Sequence, residues 1–181
     1  MVFIHLAEGF EEIEAITVVD LLRRANIEAK TVSITGDKGV TGSHGIKLFA
    51  DILFEETCYD KCQMIVLPGG MPGAKNLDEH EGLGEKILSF NAEGKWIAAI
   101  CAAPLVLGHK GVLLDRKAVC YPSFEEELEG ADVIFDDVCV CENIITSRGP
   151  STAISFSLEI IRVLADEEES DRIKKGLLLE R

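Results

Sequence analysis

The chain has 181 residues, of which 47% are hydrophobic and 28% charged, so an ordinary globular core is expected and global disorder is excluded. Eighteen lysines and arginines face 32 aspartates and glutamates, a net charge of −14 that repels phosphate backbones and excludes nucleic acid as an expected partner. No apolar run reaches about 18 residues, so no membrane span is expected.

In chain order, VFIHLA (2–7) has strand length and EEIEAITVVDLLRRAN (11–26) reads as a helix. EAKTVSIT (28–35) is β-rich, and the glycine-punctuated stretch 36–51 reads as a hairpin or extended excursion. QMIVLP (63–68) is a buried strand, GLGEKILSFNAEG (82–94) a helix ended by glycine, and KWIAAI (95–100) another buried strand. A helix over 102–111 follows, then strands at 117–122, 137–144 and 144–147 and a last long helix over 150–169; the tail 174–181 is assigned no element. This alternation predicts a three-layer α/β/α sandwich, flavodoxin-like, with a mostly parallel central sheet and one domain over 1–181. Such a chain buries roughly 70% of its unfolded surface and needs neither disulfide nor metal to fold. The N-terminus lacks the basic region of a signal peptide, and six cysteines then read as free thiols in a reducing, cytoplasmic setting.

Ligands of open α/β sheets sit beyond the carboxyl ends of the strands, which directs attention to residues 8–12, 68–73, 101–104, 121–124 and 147–150. WIAAI runs straight into Cys101, with Pro104 suited to the first turn of the next helix. The partial positive charge and free N–H groups of a helix start favour a thiolate, so a reactive Cys101 of lowered pKa is set against an inert buried cysteine. On a helical wheel of about 100° per residue with Ile13 at zero, Glu14 falls at about 100°, inside the apolar arc of Leu21, Ala25, Val18 and Leu22. A carboxyl on the core face is costly unless paired or protonated. A neutral Glu14 could donate a hydrogen bond to a thiolate and shuttle a proton; the alternative is a first-turn glutamate bent out to solvent. Ile13 and Ile16 stand on the polar side, either as scattered exposed residues or as a dimer face.

Gly69-Gly70 in VLPGGMPG can turn N–H groups toward an anion or an oxyanion, although a plain turn has the same pattern. Arg148 in SRGP stands at a strand-to-helix junction, where a site role and ordinary helix-start chemistry are equally open. Cys58, Cys62, Cys139 and Cys141 are read as packing residues, and no metal is expected. Cys120 is considered as a resolving thiol for Cys101.

EGFEEIEA (8–15), LPGG, AAICAAP and TSRGP, in that order, resemble the ThiJ/PfpI superfamily, which shares its fold with class I glutamine amidotransferases. The resembling branch is that of the Parkinsonism-associated deglycase and its bacterial relatives. The resemblance implies Cys101 as nucleophile, Glu14 as its partner carboxyl, and the backbone N–H groups of Gly70 and Ala102 as oxyanion donors. It further implies a homodimer with Ile13 and Ile16 in the interface, His44 as a basic residue near the pocket, and Asp20 with Arg24 as a supporting charged pair. Gly69, Tyr121 and Arg148 would border the pocket. Tyr121 stands where some relatives have histidine, Ala102 where the peptidase branch has histidine, and the H-x-E of amidotransferases is missing. Peptidase chemistry, and the thiamine-biosynthesis label of some relatives, are therefore subordinate readings. His5 is expected in a strand core and His80 on the surface. The implied activity is that of a deglycase or glutathione-independent glyoxalase acting on methylglyoxal, glyoxal or their early adducts, with no cofactor. The alternative is a redox-responsive stress protein whose Cys101 oxidises to sulfinic acid.

Overall fold

A computed structural model describes residues 1–179. Seven strands form the main sheet: β1 (Val2–Leu6), β2 (Ala29–Ser33), β5 (Ile52–Leu53), β6 (Met64–Leu67), β7 (Trp96–Ile100), β10 (Val138–Cys141) and β11 (Ile144–Ser147). Their order across the sheet is β10-β11-β7-β6-β1-β2-β5, parallel throughout except the β10–β11 hairpin. β1, β6 and β11 are buried along their whole length, as strands covered on both faces must be. Residues 36–51 form the antiparallel pair β3 (Gly39–Thr41) and β4 (Lys47–Phe49).

Helix α1 (Glu12–Arg24) connects β1 to β2, whereas α2 (Gly73–Glu79) and α3 (Glu81–Ala92) connect β6 to β7, stepping across the sheet in the opposite direction. Right-handed crossovers then put α1 on one face and α2 with α3 on the other. The chain thus leaves the adjacent strands β1 and β6 toward opposite faces, opening a crevice beyond their carboxyl ends. Helix α4 (Pro104–His109) follows β7, and α5 (Ala153–Leu164) follows β11 and packs on α1. The first turn of α1 is acidic and its last turn basic, in accord with the helix dipole.

Two expected elements differ, and one helix was not expected. The helix over 150–169 is divided into a 3-10 turn at 150–152, α5, and α6 (Glu167–Gly176). Asp166 separates the last two because its carboxylate accepts from the Glu169 N–H at 2.8 Å and caps a new helix. The strand expected at 117–122 is only β8 (Lys117–Ala118), paired with β9 (Asp132–Val133) in a small separate sheet, after which the chain turns toward the end of β7. Helix α2 is absent from the sequence reading, its seven residues following directly on the glycine-rich turn. Of the tail, 174–176 belong to α6, while Glu180 and Arg181 lie outside the described residues. Among the described residues no helix is long and apolar enough to cross a membrane.

Candidate active site

Strand β7 ends at Ile100, and Cys101 turns the chain with φ +66°, the left-handed region that L side chains rarely adopt. Two hydrogen bonds hold this turn: the Cys101 N–H donates to Ser147 O at 2.9 Å, and the Tyr121 N–H donates to Cys101 O at 2.8 Å. The strained residue is therefore fixed by both neighbouring segments. The residue is 8% exposed, at the rim of the core.

Glu14 is fully buried on the core side of α1. The Gly69 N–H donates to its Oε2 at 2.7 Å, while Oε1 is buried without a hydrogen-bond partner. Gly69 is required sterically: a Cβ there would lie 2.6 Å from Cys101 Cβ and 2.9 Å from Glu14 Oε2. Gly70 has φ +85°, and a Cβ on it would meet the Glu11 backbone nitrogen at 2.4 Å. The N–H groups of Gly70 and Ala102 face the Cys101 sulfur and favour its thiolate.

Burial raises the Glu14 carboxyl to about 7, against the opposing hydrogen bond from Gly69 and the polar neighbourhood of the Cys101 thiol. Burial, and then the charge of Glu14, push the Cys101 thiol up to about 12 despite the N–H groups of Gly70 and Ala102. This corrects the expectation of a thiol lowered by its helix start alone, because desolvation outweighs the donors while Glu14 is ionised. A protonated Glu14 lowers this cost, since its charge is gone and its O–H becomes a donor, while the desolvation remains. With Oε2 engaged by Gly69, that proton belongs on Oε1. The pair thus accepts one negative charge readily and a second one reluctantly.

Tyr121 borders this group, for a Cβ on Gly149 would approach the Tyr121 ring at 3.2 Å and Cys101 Sγ at 4.0 Å. Arg148 and Tyr121 line a common cleft of about 220 Å³ with Gly149 and Asp137. Cys120 is buried and its thiol is raised to about 11 by desolvation. The remaining sequence candidates lie elsewhere. Asp20 and Arg24 form an exposed 2.7 Å ion pair on α1. Ile13 and Ile16, 55% and 43% exposed, stand on the outer side of the same helix. His5 is fully buried, its Nε2 2.7 Å from the Tyr59 hydroxyl, and His80 is half-buried as the N-cap of α3.

His44 sits in the turn of the β3–β4 hairpin, its Nδ1 2.9 Å from Glu12 and 3.5 Å from Glu11. Glu12 is a residue that the sequence reading missed. It is buried in the first turn of α1 and accepts the N–H groups of His44 and Ile46 at 2.9 and 3.3 Å. Burial alone would raise its carboxyl, but the His44 ring and these N–H donors prevail and hold it at about 2. Among the described residues, Glu11, Glu12 and His44 are also the group whose ligand atoms lie within 4.8 Å of one another, as a metal site would require. Their hydrogen bonds already commit them to tying the hairpin to α1. Cys62 and Cys139 direct their thiols to the carbonyls of Met64 and Lys117.

Residues 1–163 match the DJ-1/PfpI family. The chain is 38% identical to protein dj-1beta of Drosophila melanogaster, over 96% of this chain and 94% of that one. It is 31% identical to the glutathione-independent glyoxalase DJR-1.2 of Caenorhabditis elegans, over 95% and 92% of the two chains. The solved structure of oxidized Toxoplasma gondii DJ-1 superposes with a TM-score of 0.94 at 39% identity, covering 98% of this chain and 97% of that one.

Proposed function

The chain belongs to the DJ-1/PfpI family, and from that premise we propose that it is a cysteine-dependent glyoxalase or deglycase acting on methylglyoxal, glyoxal or their early adducts. The observation that carries this reading is the unpartnered Glu14 Oε1 buried beside Cys101. In the proposed cycle the Cys101 thiolate adds to the aldehyde carbon while Glu14 protonates the new oxygen, giving a hemithioacetal. The Glu14 carboxylate then removes the proton from that carbon to give an enediolate and returns it to the neighbouring carbon, while the hydroxyl proton of the first carbon passes to the neighbouring oxygen, which leaves a thioester of a 2-hydroxy acid. Water hydrolyses the thioester; the product departs as the 2-hydroxy carboxylate, the thiolate is regenerated, one proton returns to Glu14 and one goes to solvent. In this cycle the N–H groups of Gly70 and Ala102 donate to the developing oxyanion.

The expected outcome is that Cys101→Ser and Glu14→Ala each lower methylglyoxal turnover by at least about a hundredfold, the usual scale for losing a nucleophile or a general acid–base group. Wild-type rates in both variants overturn the reading. The second reading is a redox-responsive stress protein, favoured by the same Oε1, whose proton can be donated to a sulfinate oxygen; a relative is solved in oxidized form. Cysteine oxidation without any turnover in wild type selects it. We further propose a cytoplasmic homodimer that uses the outer side of α1. Ile16 lines an apolar groove with Ala15, Val19, Leu48 and Phe49, and Phe49 is 78% exposed.

A further inference from the structure

We propose that Arg148 is a specificity-determining residue which selects substrates carrying a carboxylate. This inference rests on the reading of Cys101 as a reactive thiol and goes beyond it by favouring, among the substrates proposed above, adducts that carry a carboxylate over free methylglyoxal or glyoxal, which carry none. Of the six arginines among the described residues, Arg23, Arg24, Arg116, Arg162 and Arg172 are each held by a carboxylate. Arg148 has no ion-pair or side-chain hydrogen-bond partner among the described residues, in a chain whose acids outnumber its bases 32 to 18. Its side chain is half-buried and lines two cavities, of about 220 and 90 Å³.

Two residues in the wall of the larger cavity, Tyr121 and Gly149, border Cys101, which does not itself line the cavity. The backbone beneath Arg148 is also fixed. Its N–H donates to Asp137 O at 3.2 Å, Ser147 Oγ donates to the same oxygen at 2.8 Å, and the Gly149 N–H donates to Thr152 Oγ1 at 3.2 Å. A planar guanidinium on a rigid turn, facing a cleft next to the reacting sulfur, suits the two oxygens of a carboxylate. The other charged groups narrow the choice. Asp137 lines the larger cavity and Glu125 the smaller, so a singly charged carboxylate fits this field better than a doubly charged phosphate.

The test uses two alkylating reagents that differ only in charge. Rates of Cys101 alkylation by iodoacetate and iodoacetamide are measured by peptide mass mapping, and their ratio is normalised to that of a small free thiol. In wild type the normalised iodoacetate-to-iodoacetamide ratio is expected to be about tenfold above one, the scale of one charge-assisted hydrogen bond. In Arg148→Gln it falls to about one, in Arg148→Lys it lies between, and in Asp137→Asn it rises above wild type. A wild-type ratio near one, or a ratio unchanged in Arg148→Gln, overturns the proposal and leaves the reactive thiol standing. Should Arg148→Gln fail to fold, an Asp137→Asn or Arg148→Lys ratio equal to that of wild type overturns it as well. Methylglyoxal turnover is measured on the same proteins. A preserved ratio without turnover supports the Arg148 assignment while removing the glyoxalase reading, and a Cys101 inert to both reagents removes both.

Discussion

A buried carboxyl oxygen with no donor is costly as an anion, and Glu14 Oε1 occupies that position beside a thiol. Protonation relieves the cost, so the first negative charge enters this pair near the raised Glu14 value of about 7. Charging both groups meets desolvation and mutual repulsion. The rate of Cys101 alkylation in wild type is therefore expected to rise with pH in two steps, the first near 7 and the second well above the ordinary thiol range. Glu14→Gln abolishes the coupling and leaves one step. A single step near the free-thiol value, identical in both proteins, would show that the two groups do not share a charge. Glu14 was legible in the sequence because a carboxyl in an apolar helical arc is a local contradiction. Cys101 was legible because a strand runs directly into it. The raised thiol was not, since desolvation depends on what surrounds the sulfur, including Gly69, which is 32 positions away along the chain. Arg148 was marked by its junction, but its want of a counter-ion among the described residues emerges only from their placement in the fold.

At the scale of elements, the hairpin β3–β4 is fastened to the start of α1 by Glu12. The Glu12 carboxyl is lowered to about 2, so its bonds contribute fully above the unfolded value near 4.5 and are lost as pH falls through 2. His44 is shifted the other way by Glu12, so its share is present below its ordinary value of 6.5 and fades as pH rises through the raised one. Glu12→Gln is expected to lower unfolding free energy by about 1–2 kcal/mol at neutral pH, the scale of charge-assisted hydrogen bonds. The deficit shrinks as pH falls from 4.5 toward 2. Urea unfolding at pH 7, 5 and 3 measures it, and equal stability at pH 7 would reduce Glu12 to a bystander. Nothing near Glu12 in the chain announces this role, because its donors are residues 43–46, more than 30 positions on. The division of the last helix was missed for the opposite reason. Asp166 is a local cap signal, but it is set inside a helix-forming run, ADEEES, that reads as continuous.

At the scale of the molecule, strand–helix alternation predicted the parallel sheet, and the steps of the sheet order place Cys101, Glu14 and Gly69 around the crevice where the connections change face. The exposed Ile13, Ile16 and Phe49 bear on the proposed dimer. Ile16→Asp is expected to convert the proposed dimer to a monomer in sedimentation velocity while leaving far-UV circular dichroism unchanged; a monomeric wild type refutes the dimer directly. The whole fold also bears on the positive φ of Cys101. Two hydrogen bonds impose that conformation, whichever side chain occupies the position, and glycine would adopt it without strain. In a mutational library sorted only for resistance to heat, residue 101 should drift toward glycine. Sorted for chemistry, the same library should retain the thiol and accept the lower melting temperature. The position therefore separates what the chain would choose for endurance from what it keeps for work.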